Sequence, residues 1–230
     1  MRPDELRDRL TDALRASRAA YAEVRVERTR ATRVSFRGKR LEGANESVDA
    51  GGCVRALVDG HGWGVASFTS LDDLPAMLAA AEEMSRAIHL ERPIRLAPTA
   101  SREDVVIPEV DGDPRDVPLA EKRRLLEHLN GLMLGVSSKI ADTSASYYDN
   151  RTEWAFVSSE GAWLYEVRPE IGLSAQATAR DGDTIERALE SLGLRRGWAS
   201  VQDAERMFRG AAERALALLT APKSSRACCS

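Results

Sequence analysis

The sequence predicts an α+β protein made of two-layer α/β sandwich modules, mainly antiparallel sheets covered by helices, with one helix–strands–helix arrangement used twice. Two observations predict it. The apolar residues change period from helical to alternating and back to helical, and they do so a second time further along the chain. The hairpin TRVSFRGKRLEG with its follower GCVRALVDGHGWG also has a counterpart in RTEWAFVSSEGAWLYE followed by EIGLSAQATARDGDT.

The first helix is carried by Leu6, Leu10, Ala13, Leu14, Ser17 and Tyr21, which share one face over residues 3–19 with Pro3 near the start. From Ala22 the period becomes two: Val24 and Val26, then Val34 and Phe36, alternate with charged residues, as in strands wet on one face. Arg37-Gly38-Lys39 supplies a turn, and the chain returns through Leu41 to about Asp49. A further strand is expected from Cys53 to Val58, then a turn at Asp59-Gly60 and His61-Gly62, then Trp63 to Phe68. Ser70 is a natural N-cap for a helix from Leu71 through Leu74, Leu78, Ala81, Met84 and Ile88.

Prolines 93, 98, 108 and 114 make residues 92–117 an extended connector, because proline fixes φ and removes a donor. The second module opens with a helix from Pro118 carrying Leu119, Leu125, Leu126, Leu129, Leu132 and Met133. Unusually long strands follow between Val136 and Glu190, turning at Ser158 to Gly161 and Asp181 to Asp183. A last helix from Val201 to Leu219 aligns Val201, Ala204, Phe208, Ala211, Ala215 and Leu219. The expected organisation is therefore a domain at 1–91, the connector at 92–117, a domain at 118–222 and a disordered polar tail at 223–230.

Composition narrows the function. The net charge is −3, with 33 basic and 36 acidic residues spread along 230 positions, so neither nucleic acid nor an anionic membrane is an indicated partner. The N-terminus lacks the apolar core of a signal peptide and no apolar run is long enough to span a bilayer, so a soluble, cytoplasmic protein is expected. Cys53 reads as a small buried residue, and the adjacent Cys228 and Cys229 make no disulfide framework.

The search for chemistry returns little. None of His61, His89 and His128 is followed by glutamate, so the histidine–glutamate helix of a zinc peptidase is missing, and each histidine is read as structural or solvated. Gly60 to Gly64 lies between two β patterns rather than before a helix, so it reads as a hairpin turn, not a phosphate loop. No catalytic and no metal-binding residue is assigned. Aromatic residues gather in the long strands of the second module. Trp154, Trp163 and Tyr165 fit either a core role or contact with an extended peptide paired along the sheet. Arg25, Arg28, Arg30, Arg33 and Arg37, interleaved with glutamates, read as a solvated face.

Several local patterns occur together: Ala22-x-Val24-Arg25, the Phe36-Arg37-Gly38 turn followed by Leu41-Glu42, and Gly52-x-Val54-Arg55 leading into Gly62-Trp63-Gly64. In combination they closely resemble the N-terminal domain of the TldD/PmbA family, zinc metallopeptidases once called modulators of DNA gyrase. Residues 118–220 are similar to the family's central domain, so the resemblance covers about residues 4–222. It implies a prokaryotic cytoplasmic protein, a TldD/PmbA-type subunit as partner in a homo- or hetero-oligomer, and an extended or unfolded peptide as substrate. It also implies zinc as the cofactor of the complete family member, held by an HExxxH helix and a further ligand in a C-terminal domain. None of those positions occurs in this sequence, so no cofactor is expected in this chain and it is expected to be inactive alone. Two readings stay open: a non-catalytic portion of a TldD/PmbA-type peptidase that shapes peptide access or subunit assembly, and a stand-alone short paralogue that binds and regulates a full-length subunit.

Overall fold

The computed structural model describes residues 2–59 and 62–222. Four long strands carry the architecture. Strand β1 (Tyr21–Arg37) turns into β2 (Arg40–Leu57) at Gly38, whose φ is 51°. Likewise β5 (Ile140–Ser158) reaches β6 (Trp163–Asp181) through Gly161 at φ 88°, and β6 reaches β7 (Thr184–Leu194) through Gly182 at φ 59°. These left-handed values penalise a Cβ, which glycine lacks. With the short strands β3 (Trp63–Phe68) and β4 (Glu103–Val106), the pairing order is β3-β2-β1-β5-β6-β4, and β7 also pairs with β6. Strand β4 runs parallel to β6, whereas β2–β3 and β6–β7 are antiparallel.

The chain forms two compact units. The first comprises Met1–Arg30, Val48–Pro108 and Arg151–Arg168, and the second comprises Ala31–Ser47, Glu109–Asn150 and Pro169–Ser230. Each of the four long strands contributes residues to both.

In the first unit, helices α1 (Pro3–Arg15) and α2 (Leu74–Ala87) bury Leu10, Leu14, Leu74 and Leu78 against Ala22, Val24, Val54, Ala56, Val157 and Trp163. Burying a large apolar side chain of this kind contributes about 1.5–3 kcal/mol. Strand β3 lies so close to α2 that a Cβ on Gly64 would sit 1.8 Å from the Ala81 carbonyl oxygen. In the second unit, α3 (Leu119–Leu134) and α5 (Glu205–Leu219) bury Leu126, Leu129, Met133 and Phe208 against Val34, Phe36, Tyr147, Ile171 and Leu173. Alanines on both sides, Ala175 and Ala177 on β6 and Ala211 and Ala215 on α5, belong to the same core. Among the described residues no helix is long and apolar enough to cross a membrane.

The α+β class and the antiparallel hairpins agree with the sequence reading, while several boundaries differ for identifiable reasons. Helix α1 ends at Arg15 rather than near residue 19, because the Glu82 carboxylate accepts from the Ser17 hydroxyl (2.7 Å) and the Arg18 N–H (2.9 Å). The hairpin return and the strand expected from Cys53 are one strand, β2. Gly51-Gly52 does not break it: a Cβ on Gly52 would lie 2.5 Å from the Arg25 carbonyl, so the glycine permits a close approach inside the sheet.

Ser70 caps as expected, accepting from the Asp72 N–H at 3.2 Å, but the turn it caps is 3-10 (Leu71–Asp73) and α2 begins only at Leu74. The connector contains β4, and the last helix divides at Asp203 into α4 (Ala199–Gln202) and α5. Cys53 is half-buried rather than buried, since pairing of Val54 with Ala66 turns Val54 to the helix-covered face and Cys53 to the other. Gly60, His61 and the tail at 223–230 lie outside the described residues.

Candidate functional site

The helices of the first unit cover one face of its strands, and period two sends the remaining side chains to the opposite face. Tyr21, Glu23 and Arg25 of β1, Arg55 of β2, Trp63 of β3, Trp154 and Phe156 of β5 and Arg168 of β6 project there. They form a continuous row in which guanidinium groups lie over aromatic rings.

Tyr21 meets Trp63 edge to face, with centroids 5.8 Å apart at 89°. Arg55 lies 4.3 Å above the Trp63 ring and Arg25 lies 5.4 Å from the Phe156 centroid. Phe156 stacks on Trp154 at 6.2 Å and 6°, and Arg168 lies 5.7 Å over Trp154. Each cation–π contact of this kind is worth about 0.5–2 kcal/mol according to how dry it is.

Glu23 organises the row. Its side chain is only 6% exposed, and its carboxylate accepts from Tyr21 Oη at 2.8 Å and Arg55 Nη1 at 3.1 Å, with Arg25 Nη2 also 3.1 Å away. A carboxylate so enclosed is tolerable because two hydrogen-bond donors and two positive charges replace its water. Burial first, then the hydrogen bond to Glu23, pushes the Tyr21 phenol well above its ordinary range, so it stays protonated as a donor.

Residues 96–101, which lie in no helix or strand, run beside this row. They form one wall of a groove of about 400 Å³ whose lining includes Tyr21, Glu23, Arg55, Trp63 and Phe156. The first unit also holds a smaller cleft of about 140 Å³, lined by Leu6, Val26, Phe68, Leu71 and Tyr165 with Glu27, Arg28 and Glu153.

The three aromatics singled out from the sequence do not share a face. Trp154 is half-buried and belongs to the arginine–aromatic row. Trp163 and Tyr165, 3% and 7% exposed, lie in the core on the helix-covered face, stacked at 6.1 Å, and Tyr165 also lines the cleft. Their odd numbers on β6 match Ala155 and Val157 on β5 in that core, while Trp154 has the other parity. Sequence reading puts Arg25 on a solvated face and singles out neither Glu23 nor Arg55 as a site residue, whereas Arg25 is 46% exposed and paired with Glu23. The signal was Tyr21-x-Glu23-x-Arg25, polar residues at period two opposite the buried Ala22 and Val24.

A second polar cluster lies inside the second unit. Lys122 is 1% exposed, and its Nζ donates to Asp149 Oδ2 at 2.7 Å and Thr32 Oγ1 at 3.0 Å. Tyr147 also donates to Asp149 Oδ2, at 2.6 Å, and burial followed by that contact pushes its phenol up. With its ammonium, hydroxyls and carboxylate bonded to one another inside a core, the cluster orients α3 on its strands and offers no approach for a substrate.

Among the described residues no group of three or more His, Cys, Asp and Glu is placed to hold a metal ion. His89 lies exposed beyond α2, and His128, exposed on α3, faces Glu205 at 3.0 Å. The described residues therefore do not fit a zinc centre.

Comparison with known proteins agrees with the fold. Residues 22–88 match the family described as PmbA/TldA metallopeptidase domain 1, and residues 112–219 match the PmbA/TldA metallopeptidase central domain. A protein named a metalloprotease from Synechocystis sp. is 33% identical over 207 residues, covering 90% of this chain and 44% of its own length. A protein named a metalloprotease from Methanothermobacter thermautotrophicus is 29% identical over 215 residues, 91% of this chain and 46% of its own. The chain thus spans about half the length of these curated relatives.

Two solved structures share the fold. A proposed modulator of a DNA gyrase from Thermotoga maritima superposes with a TM-score of 0.78 at 15% identity, covering 96% of this chain and 50% of that one. TldE from Thermococcus kodakarensis gives 0.67 at 15%, covering 95% and 47%. With both domains matched in order along it, the chain belongs to the PmbA/TldD metallopeptidase family and corresponds to the N-terminal portion of its members.

Proposed function

We propose that this chain is the non-catalytic portion of a PmbA/TldD-type metallopeptidase, and that it guides an extended peptide along the arginine–aromatic face of its first unit. The observation that carries this reading is the groove lined by Tyr21, Trp63 and Phe156, to which a stretch of the chain outside any helix or strand, residues 96–101, also contributes. A peptide in that groove meets flat rings and guanidinium edges, which bind many side chains and backbone carbonyls without demanding one sequence.

In this reading the two modules at residues 1–91 and 118–222 are the working domains. A TldD/PmbA-type subunit is the partner, and zinc and the hydrolytic step belong to residues outside those described. The setting is the cytoplasm. Nucleic acid is not the ligand, since Glu23, Glu160 and Glu166 stand among the arginines of this face.

The experiment is binding and turnover of an unfolded peptide, with zinc content, for the chain alone and mixed with a full-length TldD/PmbA-type subunit. Peptide binding without zinc or turnover alone, and changed turnover on mixing, is the expected result. Stoichiometric zinc with turnover by the isolated chain overturns the reading.

A further inference from the structure

The smaller cleft of the first unit is a site in its own right. Its apolar side chains come from Leu6 on α1, Val26 on β1, Phe68 and Leu71 around the turn before α2, and Tyr165 on β6, and β2 and β5 also reach it through Ala50, Gly51 and Glu153. The void exists because β2 carries only Ala50 and Gly51 here, and a Cβ on Gly51 would meet the Phe68 carbonyl at 3.1 Å. At about 140 Å³ it compares with an engineered apolar cavity of about 150 Å³ that stays dry and binds benzene. A phenyl ring in it meets the side chains of Leu6, Val26, Phe68, Leu71 and Tyr165.

The mouth adds a second preference. Glu27 and Arg28 line it, and Asp49 lines the adjoining groove that shares Val26, Glu27, Ala50, Gly51, Phe68 and Thr69. Glu153, which also lines the cleft, faces Arg151 at 3.6 Å, and Arg25 of the groove faces Glu23 at 3.1 Å, whereas Glu27, Arg28 and Asp49 make no ion pair among the described residues; cleft and groove together therefore hold two unengaged carboxylates against one unengaged guanidinium. The adjoining groove is also lined by Arg25 and Trp154 of the arginine–aromatic row, so the residues it shares with the cleft stand between the two.

We propose that this cleft receives one aromatic side chain of an extended peptide, with a basic residue of that peptide set against Glu27 and Asp49 in the adjoining groove. The assignment rests on the peptide-guiding reading above and adds a chemical preference to it: a phenyl-sized anchor followed by a cation.

The test uses the full chain and three blocked hexapeptides, Gly-Ala-Phe-Lys-Ala-Gly, the same with Ala for Phe, and the same with Glu for Lys, followed by tryptophan fluorescence at low salt. The Ala peptide should bind at least tenfold more weakly than the parent, and the Glu peptide about threefold more weakly. Ala50→Phe, at an exposed position, should fill the mouth and abolish the difference between the Phe and Ala peptides. If that variant folds poorly, Glu27→Gln provides the second check by removing the Lys preference alone.

Equal binding of the Phe and Ala peptides to the unaltered chain overturns the cleft assignment and leaves the peptide-guiding face standing. Should no peptide bind, phenylacetamide alone decides the cleft. Saturable shifts of the Leu6 and Leu71 methyl resonances would uphold it while the peptide reading falls, and unshifted resonances would end both.

Discussion

Replacing Lys122 by methionine should destabilise the second unit by about 3 kcal/mol, the lower end of the cost of leaving one member of a buried ion pair alone. Lys122 and Asp149 are 1% and 9% exposed and 2.7 Å apart, so neither charge can turn to water when its partner goes. In Lys122→Met the carboxylate keeps donors from Tyr147 at 2.6 Å and Thr32 at 3.2 Å, which is why the lower end applies. Asp149→Leu is harsher, about 4 kcal/mol, because the ammonium retains only the Thr32 hydroxyl and the Tyr147 ring as polar company.

The double variant removes both charges and leaves the Tyr147 and Thr32 hydroxyls without their acceptor, about 1 kcal/mol each, so its total should be about 2 kcal/mol. The coupling energy is then about 5 kcal/mol, well above the few tenths seen for independent sites. Urea unfolding followed through 5-fluorotryptophan resolves the second unit, in which Trp198 packs on Tyr147 at 5.8 Å. Single costs that simply add in the double variant would refute the claim that this pair is a desolvated, mutually dependent unit.

Other outcomes follow from the same geometry. Gly64→Ala should lower the thermal midpoint sharply through the first unit, by about 3 kcal/mol or more, because the new methyl meets α2 backbone that cannot move aside. The Glu82 carboxyl would be raised by burial, but Ser17, the Arg18 N–H and Arg86 outweigh this and hold it below the ordinary value. Its stabilising contribution is therefore present above the unfolded glutamate pKa of about 4.3 and lost as pH falls through the lower folded value. Between pH 6 and 3, thermal midpoints of Glu82→Gln should show a shallower acid decline than those of the unaltered chain. Arg55→Lys should weaken peptide binding about three- to tenfold with under about 1 kcal/mol of stability lost, since an ammonium cannot both stack flat on Trp63 and reach Glu23; undiminished binding in titration calorimetry would remove Arg55 from the site.

The elements were readable wherever side-chain period and turn chemistry act alone. Gly38, Gly161 and Gly182 mark turns because each needs a left-handed φ, and Leu10 and Leu14 mark the buried stripe of α1 because nothing competes with it. What stayed hidden depends on partners distant in sequence. Glu82 shortens α1 from 65 positions away, and Gly51-Gly52 looks like a break until the Phe68 ring is placed against it.

The candidate site divided on the same line. Trp154, Trp163 and Tyr165 are visible as aromatics, yet only strand parity separates the one on the open face from the two in the core. Lys122 stood four residues before Leu126 on the apolar stripe of α3, the one clue that its ammonium needed a buried partner.

The two polar networks answer different demands, and the difference favours the open face as the working surface. The Lys122 cluster closes on itself: its hydroxyls, ammonium and carboxylate satisfy one another inside a core, so any ligand would have to break it. The Glu23 network instead spends its buried carboxylate on fixing two guanidinium groups that remain 46% and 35% exposed. For fold stability alone, an apolar residue in place of Glu23 under another layer would serve at least as well. What it does in the structure is fix Arg25 and Arg55 over the Phe156 and Trp63 rings before anything binds. Ordering two long side chains in advance removes about 0.5–1.5 kcal/mol apiece from the entropic cost of binding. That gain is realised only when a ligand arrives, so a face arranged in this way has a use in recognition that the closed core cluster lacks.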